Sequence, residues 1–227
     1  MPGCGSAARA TEAMATLDGH HDHRGGERQG RDQPRADVPR LFVAVPVPVE
    51  VGRAVGRVVD EARSALGDDG RRIRWVQLDG LHVTLRFLGP TAPDRVPRVA
   101  EALDRSVAAE PRFEIRLAGA GAFPSPDRPR ALWLGIRRGA DALGRLAAAL
   151  ESELRAEGWG VESRPFRPHL TIARTDGARG AAAAATALER AATELDVAFT
   201  ATGVALYRSH LGSGPAKYQI LHDAPIS

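Results

Sequence analysis

The chain has 227 residues, a formal net charge of +3, and 43% hydrophobic against 26% charged residues, which is ordinary globular composition with enough apolar material for a sizeable core. No window approaches the run of about 18 apolar residues that a membrane-spanning helix needs, and the N-terminus has no secretory-signal pattern, so a cytoplasmic protein is expected. The single cysteine, Cys4, lies in a weakly patterned leader, which excludes a disulfide framework, a cysteine metal cluster and a thiol nucleophile.

Residues 1–38 lack apolar periodicity and contain almost no large hydrophobic side chain, so a disordered leader is expected there. His20, His21 and His23 cluster in it without partner ligands at a fixed spacing and do not define a metal site. Order is expected to begin at Leu41-Phe42-Val43-Ala44-Val45, a short apolar strand stopped by Pro46 and Pro48. Val51, Val55, Val58, Val59, Ala62 and Leu66 recur at helical spacing up to Gly67. His82 to Leu88 reads as a strand closed by Gly89-Pro90, a helix follows with Val96, Val99, Leu103 and Val107 on one face, and another strand begins at Phe113.

The same order then returns. Ala131 to Ile136 reads as a strand, Leu143, Leu146, Leu150 and Leu154 mark a helix, and His169 to Ile172 forms a second histidine strand. A helix near residues 180–193, a strand from Val197 to Tyr207 and a last strand around Tyr218 to Leu221 complete the chain. Phe113 follows His82, and Phe199 follows His169, at nearly the same interval, which points to an internal duplication. The expected fold is α+β over residues 39–227: two pseudo-symmetric lobes, each a mostly antiparallel sheet with helices on its outer face, and an active-site cleft between them.

Two tetrapeptides carry the chemistry: His82-Val83-Thr84-Leu85 and His169-Leu170-Thr171-Ile172. Side chains two apart share one face of a strand, so each copy presents an imidazole and a hydroxyl together while its apolar pair points to the helices. A facing histidine pair suits in-line displacement at phosphorus: one neutral imidazole takes a proton from water and one imidazolium protonates the departing oxygen. Threonine hydroxyls can donate to the non-bridging oxygens, where charge develops. No carboxylate pair or His/Asp cluster accompanies them, so neither metal nor cofactor is expected. Lys217 is the only lysine, and arginine's planar fork suits phosphate. The same bias follows from G+C-rich coding, however, and says little alone.

On these motifs the chain resembles the two-histidine (2H) phosphoesterase superfamily, specifically the RNA 2′,3′-cyclic phosphodiesterases, also called 2′-5′ RNA ligases. The resemblance spans residues 40 to about 223. Supporting runs are Arg40-Leu41-Phe42-Val43-Ala44-Val45, Trp75-Val76, Leu81 to Gly89, Gly121-Ala122-Phe123-Pro124, Arg128 to Trp133, Arg164 to Arg174, and Leu206-Tyr207-Arg208-Ser209 with Tyr218 and Leu221. It implies hydrolysis of a terminal 2′,3′-cyclic phosphate to a 2′-phosphate, with His82 as acid at the 3′ oxygen, His169 as base for water, and Thr84 and Thr171 on phosphate oxygens. It also implies that Arg174 lies near the phosphate; its odd offset from His169 requires a strand end or a bend. Phe42 reads as a core residue of a buried strand, whereas the resemblance implies an aromatic under the terminal base. Arg86 shares parity with His82, Trp133 reads as core, and Tyr207 and Tyr218 fit either the cleft or the sheet edge. The implied partner is an RNA end bearing a cyclic phosphate, such as a tRNA fragment, met by a monomer. Two alternatives share the motifs or the charge: 2′-5′ end joining or action on small cyclic nucleotides, and a non-catalytic RNA-binding module.

Overall fold

The computed structural model describes residues 38–177, 179–210 and 216–227. The expectations for the leader, with Cys4, His20, His21 and His23, fall outside the described residues. In chain order the elements are β1 (Arg40–Pro46), α1 (Val49–Leu66), β2 (Arg74–Trp75), β3 (His82–Pro90), α2 (Val96–Val107), β4 (Phe113–Phe123), β5 (Ala131–Arg138), α3 (Ala140–Ala156), β6 (His169–Arg174), α4 (Ala181–Ala191), β7 (Val197–Ala201), β8 (Gly203–His210) and β9 (Lys217–Pro225). Each long helix forms where its apolar residues recur every three to four positions, and those residues are the ones buried: Val51, Val55, Val58, Val59 and Ala62 on α1, and Leu143, Leu146, Leu150 and Leu154 on α3. Gly67, with φ at +55°, ends α1 in a conformation that side chains with a Cβ disfavour.

The strands form two antiparallel sheets, one ordered β3-β1-β8-β9 and the other β2-β6-β5-β4-β7. The segment expected as one strand from Val197 to Tyr207 is two, parted at Thr202. β7 stays beside β4 in the second sheet, while β8 leaves to pair with β1 in the first. The apparent equivalence of Phe113 and Phe199 is therefore corrected, since both lie in the same sheet and Ile115 pairs with Phe199. The true correspondence runs β3-β1-β8-β9 against β6-β5-β4-β7, and each half of the chain lends two strands to the other's sheet, β2 and β4 one way and β8 and β9 the other.

Helices cover the outer faces. α2 packs on β8 and β9 beside α3, which reaches β3, and α4 packs on β4 beside α1, which reaches β7. Between helices and sheets lies a continuous core that includes Val43, Val83, Leu103, Leu132, Leu146, Leu170 and Ile172. Each such side chain contributes on the order of 1.5–3 kcal/mol by leaving water. A second, smaller cluster of Phe42, Ala44, Ala205 and Tyr207 sits on the opposite face of the first sheet. Among the described residues no helix is long and apolar enough to cross a membrane.

Candidate active site

The two histidine strands β3 and β6 touch. Along each, the expected alternation holds through four residues: His82 and Thr84 are half-buried while Val83 and Leu85 are buried, and His169 and Thr171 are half-buried while Leu170 and Ile172 are buried. Each imidazole is fixed by the backbone two residues before it. His82 Nδ1 meets the Gly80 carbonyl at 2.7 Å and His169 Nδ1 meets the Arg167 carbonyl at 2.6 Å. A carbonyl oxygen only accepts, so Nδ1 carries the proton in both rings and Nε2 is left as the working atom. Burial holds both histidines below their usual 6.5; the backbone hydrogen bonds oppose this shift, and the Arg174 charge adds to it.

After the fourth residue the parity of each strand breaks. Ala44 pairs with Thr84 but Val43 with Arg86, so Leu85 is the extra residue of a bulge in β3. Likewise Trp133 pairs with Thr171 but Leu132 with Ala173, so Ile172 is the extra residue in β6. A bulge re-aims everything after it. The fifth residue past each histidine thus returns to the histidine face: Phe87 opposite Phe42 in one sheet, and Arg174 opposite Ala131 in the other. This is the bend that the odd offset of Arg174 requires. Arg174 is exposed, and its charge acts on His82, His169 and the Tyr218 hydroxyl together, which puts one guanidinium within electrostatic reach of both imidazoles. The same bulge turns Arg86 to the helix side, where it meets Glu151 of α3 at 2.9 Å, so it does not share the cleft with His82.

Aromatic rings wall both histidines. The Phe42 and His82 centroids are 4.7 Å apart, Tyr207 stacks on Phe42 at 5.0 Å, and Tyr218 stands edge-on to His82 at 5.0 Å. Phe42 and His82 lie well apart along their strands, so this contact requires a concave face on which side chains converge. Small residues, Ala44 and Ala205, leave the room. Across the site, Phe123 stands edge-on to His169 at 5.0 Å and Trp133 lies 6.3 Å from it. Trp133, read from sequence as core, is instead half-buried on this face, lying across Gly121, where an added Cβ would come within 2.5 Å of the indole. Phe42 is only 2% exposed beneath Tyr207, so it offers no free face to a base and supports His82 instead. Phe87, 51% exposed and 6.0 Å from Phe42, does offer one, as does Tyr218 at 38%. Sequence reading missed Phe87 because a straight strand would point it away from His82.

Among the described residues no three His, Cys, Asp or Glu side chains gather as a metal-ligand set. The site thus offers two oriented imidazoles, two hydroxyls, one guanidinium and apolar ring surface. The family model described as the 2′-5′ RNA ligase superfamily matches residues 48–213. A protein of Aeropyrum pernix named RNA 2′,3′-cyclic phosphodiesterase is 39% identical over 125 residues, which is 55% of this chain and 69% of the relative. One of the same name from Geobacillus stearothermophilus is 31% identical over 185 residues, 82% of this chain but 56% of the relative. Among solved structures, E. coli LigT complexed with 3′-AMP has a TM-score of 0.63 at 25% identity, covering 83% of this chain and 98% of that one.

Proposed function

The chain belongs to the 2′-5′ RNA ligase superfamily, and from that premise we propose that it hydrolyses the terminal 2′,3′-cyclic phosphate of RNA to a 2′-phosphomonoester by acid and base catalysis from His82 and His169, without metal. The observation that carries this reading is the matched anchoring of the two rings, each with Nδ1 on a backbone carbonyl and Nε2 left to act, under the charge of one shared arginine.

In the reaction, water attacks phosphorus and passes a proton to one Nε2, the P–O3′ bond breaks, and the other Nε2 gives its proton to O3′. Thr84, Thr171 and Arg174 hold the non-bridging oxygens, on which charge accumulates. The walls differ in a way that supports a direction. In-line attack puts the leaving 3′ oxygen on the nucleoside side and the water on the opposite side. The exposed ring of Phe87 stands on the His82 wall and suits the base, whereas Arg174 stands on the His169 wall. The nucleoside therefore lies against the first sheet, His82 is the acid, and His169 is the base. Burial favours the neutral form of both rings in the free protein, and the bound phosphate anion favours the imidazolium that His82 needs.

The test is hydrolysis of an oligonucleotide ending in a 2′,3′-cyclic phosphate, in excess chelator. The expected product is the 2′-phosphate, and His82→Ala and His169→Ala each slow its formation by about 10²-fold or more. Activity that disappears with chelator, or that either substitution leaves at the parent's level, contradicts the reading.

A further inference from the structure

Arg86 is a largely buried cation, its side chain 12% exposed, on the same strand as His82. It nonetheless serves the segment that leads into His169. Its Nη2 donates to the Gly160 carbonyl at 2.6 Å and its Nη1 to Glu162 Oε2 at 3.0 Å, while its Nε faces Glu151 of α3 at 2.9 Å. Glu162 passes the constraint on: its Oε1 accepts from the backbone N–H of Arg164 at 3.4 Å, and its own N–H donates to Glu151 at 3.1 Å. Residues 157–168 form no helix or strand, so these contacts stand in for a ladder. A second tether comes from the turn after the same strand, where the Arg95 guanidinium lies 3.5 Å over the Trp159 ring and Nη2 donates to the Glu157 carbonyl at 3.1 Å. The segment ends at Arg167, whose carbonyl orients the His169 ring.

We propose that Arg86 is a positioning residue for His169: standing on the strand of the opposite histidine, it clamps the 157–168 segment so that the Arg167 carbonyl holds the His169 ring in its working orientation. The geometry sets an asymmetry that sequence distance reverses. Arg86 is four residues from His82, but the His82 ring hangs on Gly80, within its own strand's approach, and does not depend on the clamp. The inference rests on the acid and base reading for its catalytic consequence, though not for its structural one.

The experiment is imidazole nitrogen NMR of His82 and His169 in full-length Arg86→Met, Arg86→Lys and Glu162→Gln, alongside kcat, KM and Tm. In Glu162→Gln and Arg86→Met the His169 signals are expected to move toward mixed tautomers while those of His82 stay in place, and kcat to fall between about 10-fold and 10²-fold with little change in KM. Arg86→Lys, which keeps the charge and loses the fork, is expected to fall between them and the parent. A drop in Tm with unchanged His169 signals, or a shift at His82 in place of His169, overturns the proposal. Should Arg86→Met fail to fold, Glu162→Gln and Arg86→Lys carry the test. Since the NMR readout needs no turnover, loss of the hydrolysis reading and loss of this one are distinguishable.

Discussion

The wall of His82 and the wall of His169 are built on the same backbone plan and diverge in what they present. Each has its histidine held at Nδ1 by a carbonyl two residues earlier, its threonine two residues on, and a bulge after the fourth residue. The residue turned back by the bulge is Phe87 in one and Arg174 in the other. Ring placement is exchanged as well. The positions filled by Phe42 and Ala44 in β1 correspond to Ala131 and Trp133 in β5, and Tyr207 and Ala205 in β8 correspond to Phe123 and Gly121 in β4. Both sheets thus pack a histidine among aromatics, by different means. The repeated frame supplies an imidazole from each sheet, and in the proposed reaction the differences set which end of the substrate each would meet.

Breaking the symmetric part should cost most. His82→Ala and His169→Ala are each expected to lower kcat by about 10² to 10⁴, and the double variant by little more than the worse single one, because the pair acts as a unit; single-turnover rates on a cyclic-phosphate oligonucleotide check this. The cationic side comes next. Arg174→Gln removes a charge-assisted contact, so kcat/KM is expected to fall by about 10- to 100-fold.

That variant also has a pH signature with a definite sign. Arg174 depresses both histidines, so removing it raises both, and the limb on which activity is lost with rising pH moves to higher pH. In the parent, with both rings held below 6.5, kcat/KM is expected to decline through neutrality as the imidazolium form runs out. On the apolar side, Phe87→Ala is expected to raise KM by an amount equivalent to about 1–3 kcal/mol and to leave an abasic ribose cyclic phosphate unaffected; Phe42→Leu should leave that base discrimination intact. The smallest activity change is expected from Gly121→Ala, which crowds the Trp133 indole and should cost about 1–3 kcal/mol of stability in denaturant unfolding.

Much of this arrangement was legible in sequence, and the failures have physical causes. Period-two alternation in His82-Val83-Thr84-Leu85 and His169-Leu170-Thr171-Ile172 places both pairs correctly, because local sterics alone decide which face a strand residue takes. Helical spacing identified α1, α2 and α3 for the same reason. What local pattern cannot carry is pairing between distant strands. Nothing near Thr202 distinguishes a strand that continues from one that leaves for the other sheet, so β7 and β8 read as one. A bulge depends on register against a neighbour, so parity counted along a straight strand groups Arg86 with His82 and leaves Phe87 out, the reverse of their places. Trp133 reads as core because an apolar run buried on both faces does not announce which face is open, whereas the core reading of Phe42 agrees with its 2% exposure.

The division of labour between the walls has one direct test. A 2′,3′-cyclic phosphate with sulfur in place of the 3′ oxygen releases a thiolate that needs no proton from the enzyme. His82→Ala is expected to recover most of its lost rate on that substrate, and His169→Ala none, because water still requires a base. Equal recovery by both variants, or recovery by His169→Ala alone, would contradict the assignment of His82 to the leaving oxygen and His169 to water.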